Sequence, residues 1–202
     1  MSCGGDRTRR HHSVRNLIGR HAEEAGANPE LEKPGLLPPA PEQPNANRRR
    51  PADVFLPTWF GGMPAALDIA VTSPHRQDIV SVASNRVGAA AEAYDGFKRN
   101  YLNTEADCRA QGIAFVPMIA ETSGGWGSSA ICVLKRVAKA AAIRSDLDHA
   151  RVMSRHLAAL CSIIRRSNAW AILLRSPEDS RGRPSESALS ALAAFADNHD
   201  AD

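Results

Sequence analysis

The chain has 202 residues, of which 43% are apolar and 23% charged, enough to bury one substantial core and unlike the composition of disordered or fibrous proteins. Its formal charge is +3 and lies wholly at the front: residues 1–50 carry nine Lys and Arg against six Asp and Glu, while residues 51–202 carry sixteen of each. Four scattered cysteines (Cys3, Cys108, Cys132 and Cys161) with no CxxC pair argue against a disulfide framework and for a reducing, intracellular setting, and no apolar run approaches the roughly 18 residues that a membrane-spanning helix needs.

In chain order, residues 1–10 join Cys3-Gly-Gly to a basic stretch ending at His11-His12. One cysteine and two histidines make half a zinc-binding set and hold no zinc alone, so the segment is expected to be the remnant of a zinc knuckle. Val14, Leu17, Ile18 and Ala22 recur at helical spacing before Gly26, which predicts an amphipathic helix over about residues 10–25. Leu31, Leu36 and Leu37 around Pro34-Gly35 form a weak strand that proline confines to an edge or bulge. Residues 38–51, with five prolines and three arginines, form a loop.

Two short strands joined by a Gly/Pro loop follow, Ala52-Asp-Val-Phe-Leu56 and Ala66-Leu-Asp-Ile-Ala-Val71. Thr72-Ser73-Pro74 is a helix start, and Val87, Ala91, Tyr94, Phe97 and Tyr101 predict one long helix from Arg86 to Cys108, with Tyr94 and Phe97 facing the core. Ile113–Glu121 is a further strand in which Pro117 again requires an edge or bulge. Helices are predicted over 128–142 and about 146–174, then a loose stretch over 176–187 and a short helix over 188–196. The expected organisation is a core over 11–143, a C-terminal helix over 144–175 and a tail over 176–202.

Each hairpin strand carries one aspartate among apolar residues, Asp53 and Asp68. A carboxylate in such a run needs a partner, and for two at matched places a shared divalent cation is the simplest. With Leu56 opposite Leu67, Asp53 faces Ala70 and Asp68 points to the same side; a one-residue slip would separate the two. The competing readings are a turn aspartate at 53 and an arginine ion pair at 68. Glu30 and Glu32 are either a third acidic ligand or surface residues. His149 and His156 share a helical face without further ligands, and Gly124–Ser129 lacks the Lys-Ser/Thr of a phosphate loop.

The order helix, strand, strand, strand, helix, strand, with aspartates in the second and third strands, resembles the PD-(D/E)xK superfamily of nucleases. Arg50-Pro-Ala-Asp53, Ala66-Leu-Asp68-Ile-Ala-Val-Thr-Ser73 and Tyr94-x-x-x-Lys98 look like the restriction-like endonuclease domain that follows the reverse transcriptase of some non-LTR retrotransposons. Cys3-Gly-Gly-Asp-Arg7 and Arg10-His-His-Ser-Val-Arg15 look like the end of the zinc knuckle before it. The pattern departs from the family at Ala70, where a lysine is usual, and in having Pro-Ala-Asp for Pro-Asp; Lys98, beside Arg99, is the substitute lysine.

The resemblance implies an α/β restriction-endonuclease-like core with a mixed four-stranded sheet and C-terminal helices. It also implies metal-dependent hydrolysis of DNA phosphodiesters. Asp53 and Asp68 would hold Mg2+ or Mn2+, and Lys98 would complete the catalytic set. Arg9, Arg10, Arg15, Arg48, Arg49 and Arg50 would contact DNA without reading sequence. The implied partners are DNA and a reverse-transcriptase module in the parent element, with a nuclear location if the target is chromosomal. The alternative is a remnant without turnover that still binds nucleic acid or protein.

Overall fold

A computed structural model describes residues 4–38 and 49–173. In chain order the elements are α1 (Gly4–Glu24), β1 (Glu30–Leu31), β2 (Val54–Leu56), β3 (Ala65–Thr72), α2 (Val80–Ala83), α3 (Ala89–Asn100), α4 (Thr104–Ala110), β4 (Ala114–Glu121), α5 (Ser128–Ser145) and α6 (His149–Leu173). The strands form one mixed sheet in the order β1-β2-β3-β4, antiparallel except for the parallel β3–β4 pair. Parallel neighbours cannot be joined by a tight turn, and α2, α3 and α4 supply the crossover. The expected mixed α/β architecture and C-terminal helices are therefore present.

Side chains alternate across β3, and the two faces of the sheet differ accordingly. Ala65, Leu67 and Ile69 join Val14, Leu17 and Ile18 of α1, Val133, Leu134 and Val137 of α5, and Leu160 and Ile164 of α6 in the main core. Complete burial of a side chain such as Leu67 contributes about 1.5–3 kcal/mol. On the other face Ala66 packs with Phe55, Cys108, Ile113 and Phe115, the side on which α3 and α4 lie. Asp68 has the parity of Ala66 and so belongs to this second, thinner layer.

The hairpin register differs from the one expected. Leu56 pairs with Ala65 rather than Leu67, and Val54 pairs with Leu67. The shift is two residues, which preserves every face because the side-chain period is two. The pairing ends at Val54, and Asp53 lies just outside it, its N–H turned to the Leu67 carbonyl. β1 is reduced to Glu30 and Leu31 at one sheet edge, and Pro34, Leu36 and Leu37, expected in it, lie outside any strand; the proline-bearing β4 lies at the other edge, with Pro117 beside Asp68.

The long helix predicted from Arg86 to Cys108 is divided. Gly88 opens α3 in the left-handed region (φ 85°), where an added Cβ would come within 3.0 Å of the Trp126 carbonyl oxygen. At the other end Leu102 and Asn103 are both left-handed, at φ 49° and 57°. The Leu102 carbonyl is held by Arg49 and the Tyr101 carbonyl by Thr104 Oγ1 at 2.6 Å. The break lets α4 turn Thr104 and Cys108 inward, onto a face different from that of Tyr94 and Phe97. The segment starting at Thr72 is mostly turns, with only Val80–Ala83 helical.

Over residues 4–10 the supposed knuckle remnant is the first part of α1. It is tied to α6, with Arg10 Nη1 donating to Asn168 Oδ1 at 2.9 Å and Arg9 lying 5.3 Å from the Trp170 ring. Cys3, Arg48 and the expected tail over 176–202 lie outside the described residues.

The contact between α1 and α6 buries two imidazoles, His21 and His156, stacked with centroids 3.7 Å apart and planes 7° from parallel. Among the described residues neither Nδ1 has a hydrogen-bond partner, while Nε2 of His156 sits 3.0 Å from Oε2 of Glu24, which also accepts from Arg155 at 2.9 Å. Burial, aided by His156, Arg155 and Arg20 and opposed by Glu24, pushes His21 down to about 4. The other sequence-noted histidine, His149, lies 3.3 Å from the Lys135 carbonyl and shares no site with His156.

Since His21 binds its proton more weakly when folded than when unfolded, its contribution to stability is full above about pH 6.5 and declines towards pH 4. Urea titrations across that interval are expected to show a loss of about 3 kcal/mol from this group, and His21→Leu should flatten the corresponding part of the profile.

Candidate active site

Asp68 sits midway along β3, only 9% exposed, on the face that α3 covers. Its partner is Lys98, whose Nζ lies 2.8 Å from Oδ2 and 3.1 Å from Oδ1. Lys98 is in the last turn of α3, where a cation also complements the helix dipole. The competing expectation of an arginine partner is thus replaced by the lysine that the family resemblance singled out.

A second charge fixes the other end of α3. Glu121, the last residue of β4 and 2% exposed, accepts from Ala90 N at 2.9 Å and from Ser123 Oγ at 3.0 Å. Gly88 has no side chain with which to cap α3, so this carboxylate takes over the task from a neighbouring strand. Gly125 makes room for it, since a Cβ there would lie 2.5 Å from Oε2 of Glu121. Arg99 does not enter the site; it joins Asp95, Glu105 and Ser129 and so links α3 to α4 and α5.

Asp53 precedes β2 by one residue and is held through both its main chain and its side chain. Its N–H donates to the Leu67 carbonyl and its carbonyl accepts from Glu32 N, each at 2.9 Å. Oδ2 accepts from the Ile69 N–H at 2.6 Å, which ties the carboxylate to the strand that bears Asp68. Oδ1 lies 3.1 Å from Nε2 of His11. The sequence reading assigned His11 to the knuckle and missed this contact. A signal was present: His11, Val14 and Ile18 are spaced three and seven apart, which puts the imidazole on the core-facing side of α1.

The charges act on one another. Burial drives the Asp68 carboxyl upwards, Lys98 pulls it down, and Asp53 pushes it up again. Lys98, despite the penalty of its own burial, is kept protonated by Asp68, with Tyr94 and Asp53 acting in the same sense. The hydrogen bond to Asp53 raises His11 against the opposing effect of burial, and Asp68 adds to the rise. His11, Asp53, Asp68 and Lys98 therefore form one electrostatic cluster drawn from α1, the start of β2, β3 and α3. The two carboxylates are faced by the Lys98 ammonium and by the His11 imidazole, whose protonated form Asp53 favours.

The remaining sequence-predicted residues lie elsewhere. Glu30 pairs with Lys33 at 2.7 Å and Glu32 with Arg15, so neither serves as a third acidic ligand. Arg49 is turned inward, its side chain 6% exposed and paired with Asp107 at 2.7 Å. Arg50 is exposed, and Arg9 and Arg10 face the end of α6. Among the described residues no group of three or more His, Cys, Asp and Glu side chains is arranged to hold a metal ion. No family model and no curated protein matches the chain.

Loss of either member of the Asp68–Lys98 pair leaves the other charge buried and unpaired. Lys98→Met is expected to destabilise the fold by about 1–3 kcal/mol, and Asp68→Leu in the same background should recover part of that loss. A double-mutant cycle in urea measures the coupling.

Proposed function

We propose that the chain is a metal-dependent DNA endonuclease domain that hydrolyses phosphodiester bonds on a restriction-endonuclease-like core. The observation that supports this most is the meeting of three charged side chains from the start of β2, from β3 and from α3. Lys98 spans both oxygens of Asp68, and Asp53 is tied to the next residue of the same strand.

The donor set suits a hard divalent cation. Magnesium keeps several waters and takes only one or two protein carboxylates, so Asp53 and Asp68 suffice without a third ligand. Each carboxylate oxygen retains a lone pair beyond its present hydrogen bond. Burial, with Asp53 adding to it, raises the Asp68 carboxyl, and a bound cation would favour its charged form. When bound, Mg2+ or Mn2+ supplies a more acidic water and neutralises charge on the phosphate.

The protein's own groups divide the rest of the work. Asp53, oriented by His11 and the Ile69 N–H, presents a carboxylate that cannot swing away. Lys98, released from one Asp68 oxygen, carries an ammonium to a non-bridging oxygen of the scissile phosphate, where it stabilises charge that develops during attack. Among the arginines assigned to DNA, exposed Arg50 is best placed to meet a backbone phosphate, and Arg49 works from inside by holding the chain that bears it.

One observation favours a second reading, a catalytically inactive domain that binds nucleic acid or protein. Both oxygens of each aspartate already have protein partners, so the cluster is stable as a purely structural ion-pair network. Nicking of supercoiled plasmid with Mg2+ or Mn2+ separates the two. The endonuclease reading expects Asp68→Asn to lower the rate about 100-fold or more, with chelation abolishing it. Equal rates from parent and variant, or none from either, would leave the inactive domain.

A further inference from the structure

Tyr94 and Phe97 were expected in the core, yet an aromatic row along α3 and the residue that follows it, Tyr101, runs from half-buried Tyr94 to the surface. Phe97 is 54% exposed and Tyr101 50%. The ring centroids of Tyr94 and Phe97 are 5.6 Å apart, as are those of Phe97 and Tyr101, with planes inclined by 23° and 38°. The row begins at the candidate active site, because Tyr94 and Lys98 are four apart and share one side of the helix. Arg76, arriving from the turn before α2 and paired there with Asp78, lies 5.9 Å from the Tyr94 ring. From Tyr94 to Tyr101 the row runs about 10 Å along the helix axis.

We propose that this row is a stacking platform for unpaired bases of a DNA strand entering or leaving the Asp53–Asp68–Lys98 site. The inference rests on the endonuclease reading and names its substrate class: DNA with a single-stranded segment beside the scissile phosphate. Exposed aromatic rings bind bases through their faces regardless of sequence, and an adjacent cation adds attraction to the backbone and to the ring. A paired duplex hides base faces inside its stack at about 3.4 Å spacing, so only an unpaired strand offers faces to exposed rings. Among the described residues the buried side of α3 is supplied by Ala89, Ala90 and Ala91, not by the row.

Fluorescence anisotropy on the full chain, with EDTA present so that binding is read without cleavage, tests the proposal. The probes are a single-stranded oligothymidylate and an abasic oligomer of equal length. The parent should prefer the oligothymidylate, Phe97→Ala with Tyr101→Ala should weaken it by about tenfold per ring removed, and Phe97→Trp should retain it. Abasic binding should be unchanged by all three. Unchanged melting curves, expected for exposed positions, exclude loss of fold as the cause.

The proposal is overturned if the parent binds the two oligomers equally or the alanine variants bind like the parent. It is equally overturned if sedimentation velocity shows the alanine variants converting a dimer to a monomer with DNA binding intact, which would make the row a self-association surface. Plasmid nicking together with ring-independent binding removes this inference alone. Ring-dependent binding without any nicking supports the platform and removes the endonuclease reading alone.

Discussion

A carboxylate in the middle of a buried strand must be compensated, and the arrangement of this molecule follows from how Asp68 is. Its compensation comes from Lys98, which lies thirty residues away at the far end of a helix. For that contact to form, α3 must cross the sheet at one height and in one direction. Glu121 fixes the start of the helix and the ion pair fixes its end. The crossover that makes β3 and β4 parallel is thus held by charge at both ends and by small apolar contacts between.

The two faces of the sheet divide the labour. On one, Leu67, Ile69 and Val54 build a conventional apolar core with α1, α5 and α6, whose burial dominates stability. On the other, Ala66 and the buried alanines of α3 leave space for a close approach to Asp68, and the carboxylates of Asp68 and Asp53 are not left among hydrocarbon. They are answered instead by His11, the Ile69 N–H and Lys98. A rigid apolar platform carrying a charged layer is what the proposed site for phosphate chemistry would require.

Much of this was legible in the sequence. The hairpin, the edge strand marked by Pro117 and the two C-terminal helices follow from period and punctuation, and Asp68 announced itself as a charge inside an apolar run. Lys98 was reached only through resemblance, since nothing local separates it from a solvated lysine. His11 was misread because its companions in sequence, Cys3 and His12, suggested a metal motif, whereas its partner Asp53 is forty-two residues away. The break at Leu102–Asn103 was hidden because apolar spacing ran on through it; the left-handed turn is imposed by Arg49 and Thr104, contacts that no window of neighbouring residues contains. The register error of two residues was harmless for the opposite reason, as an even shift keeps every side chain on its face.

The central claim is that Asp53 and Asp68 jointly present a site for one hard cation beside Lys98. The most direct measurement is paramagnetic broadening of backbone and side-chain resonances during titration with Mn2+. The account predicts early, selective loss of the Ile69 amide, His11 and Lys98 signals in the parent protein, and their persistence in Asp68→Asn. Broadening scattered over other acidic residues, or the same pattern in both proteins, would contradict it.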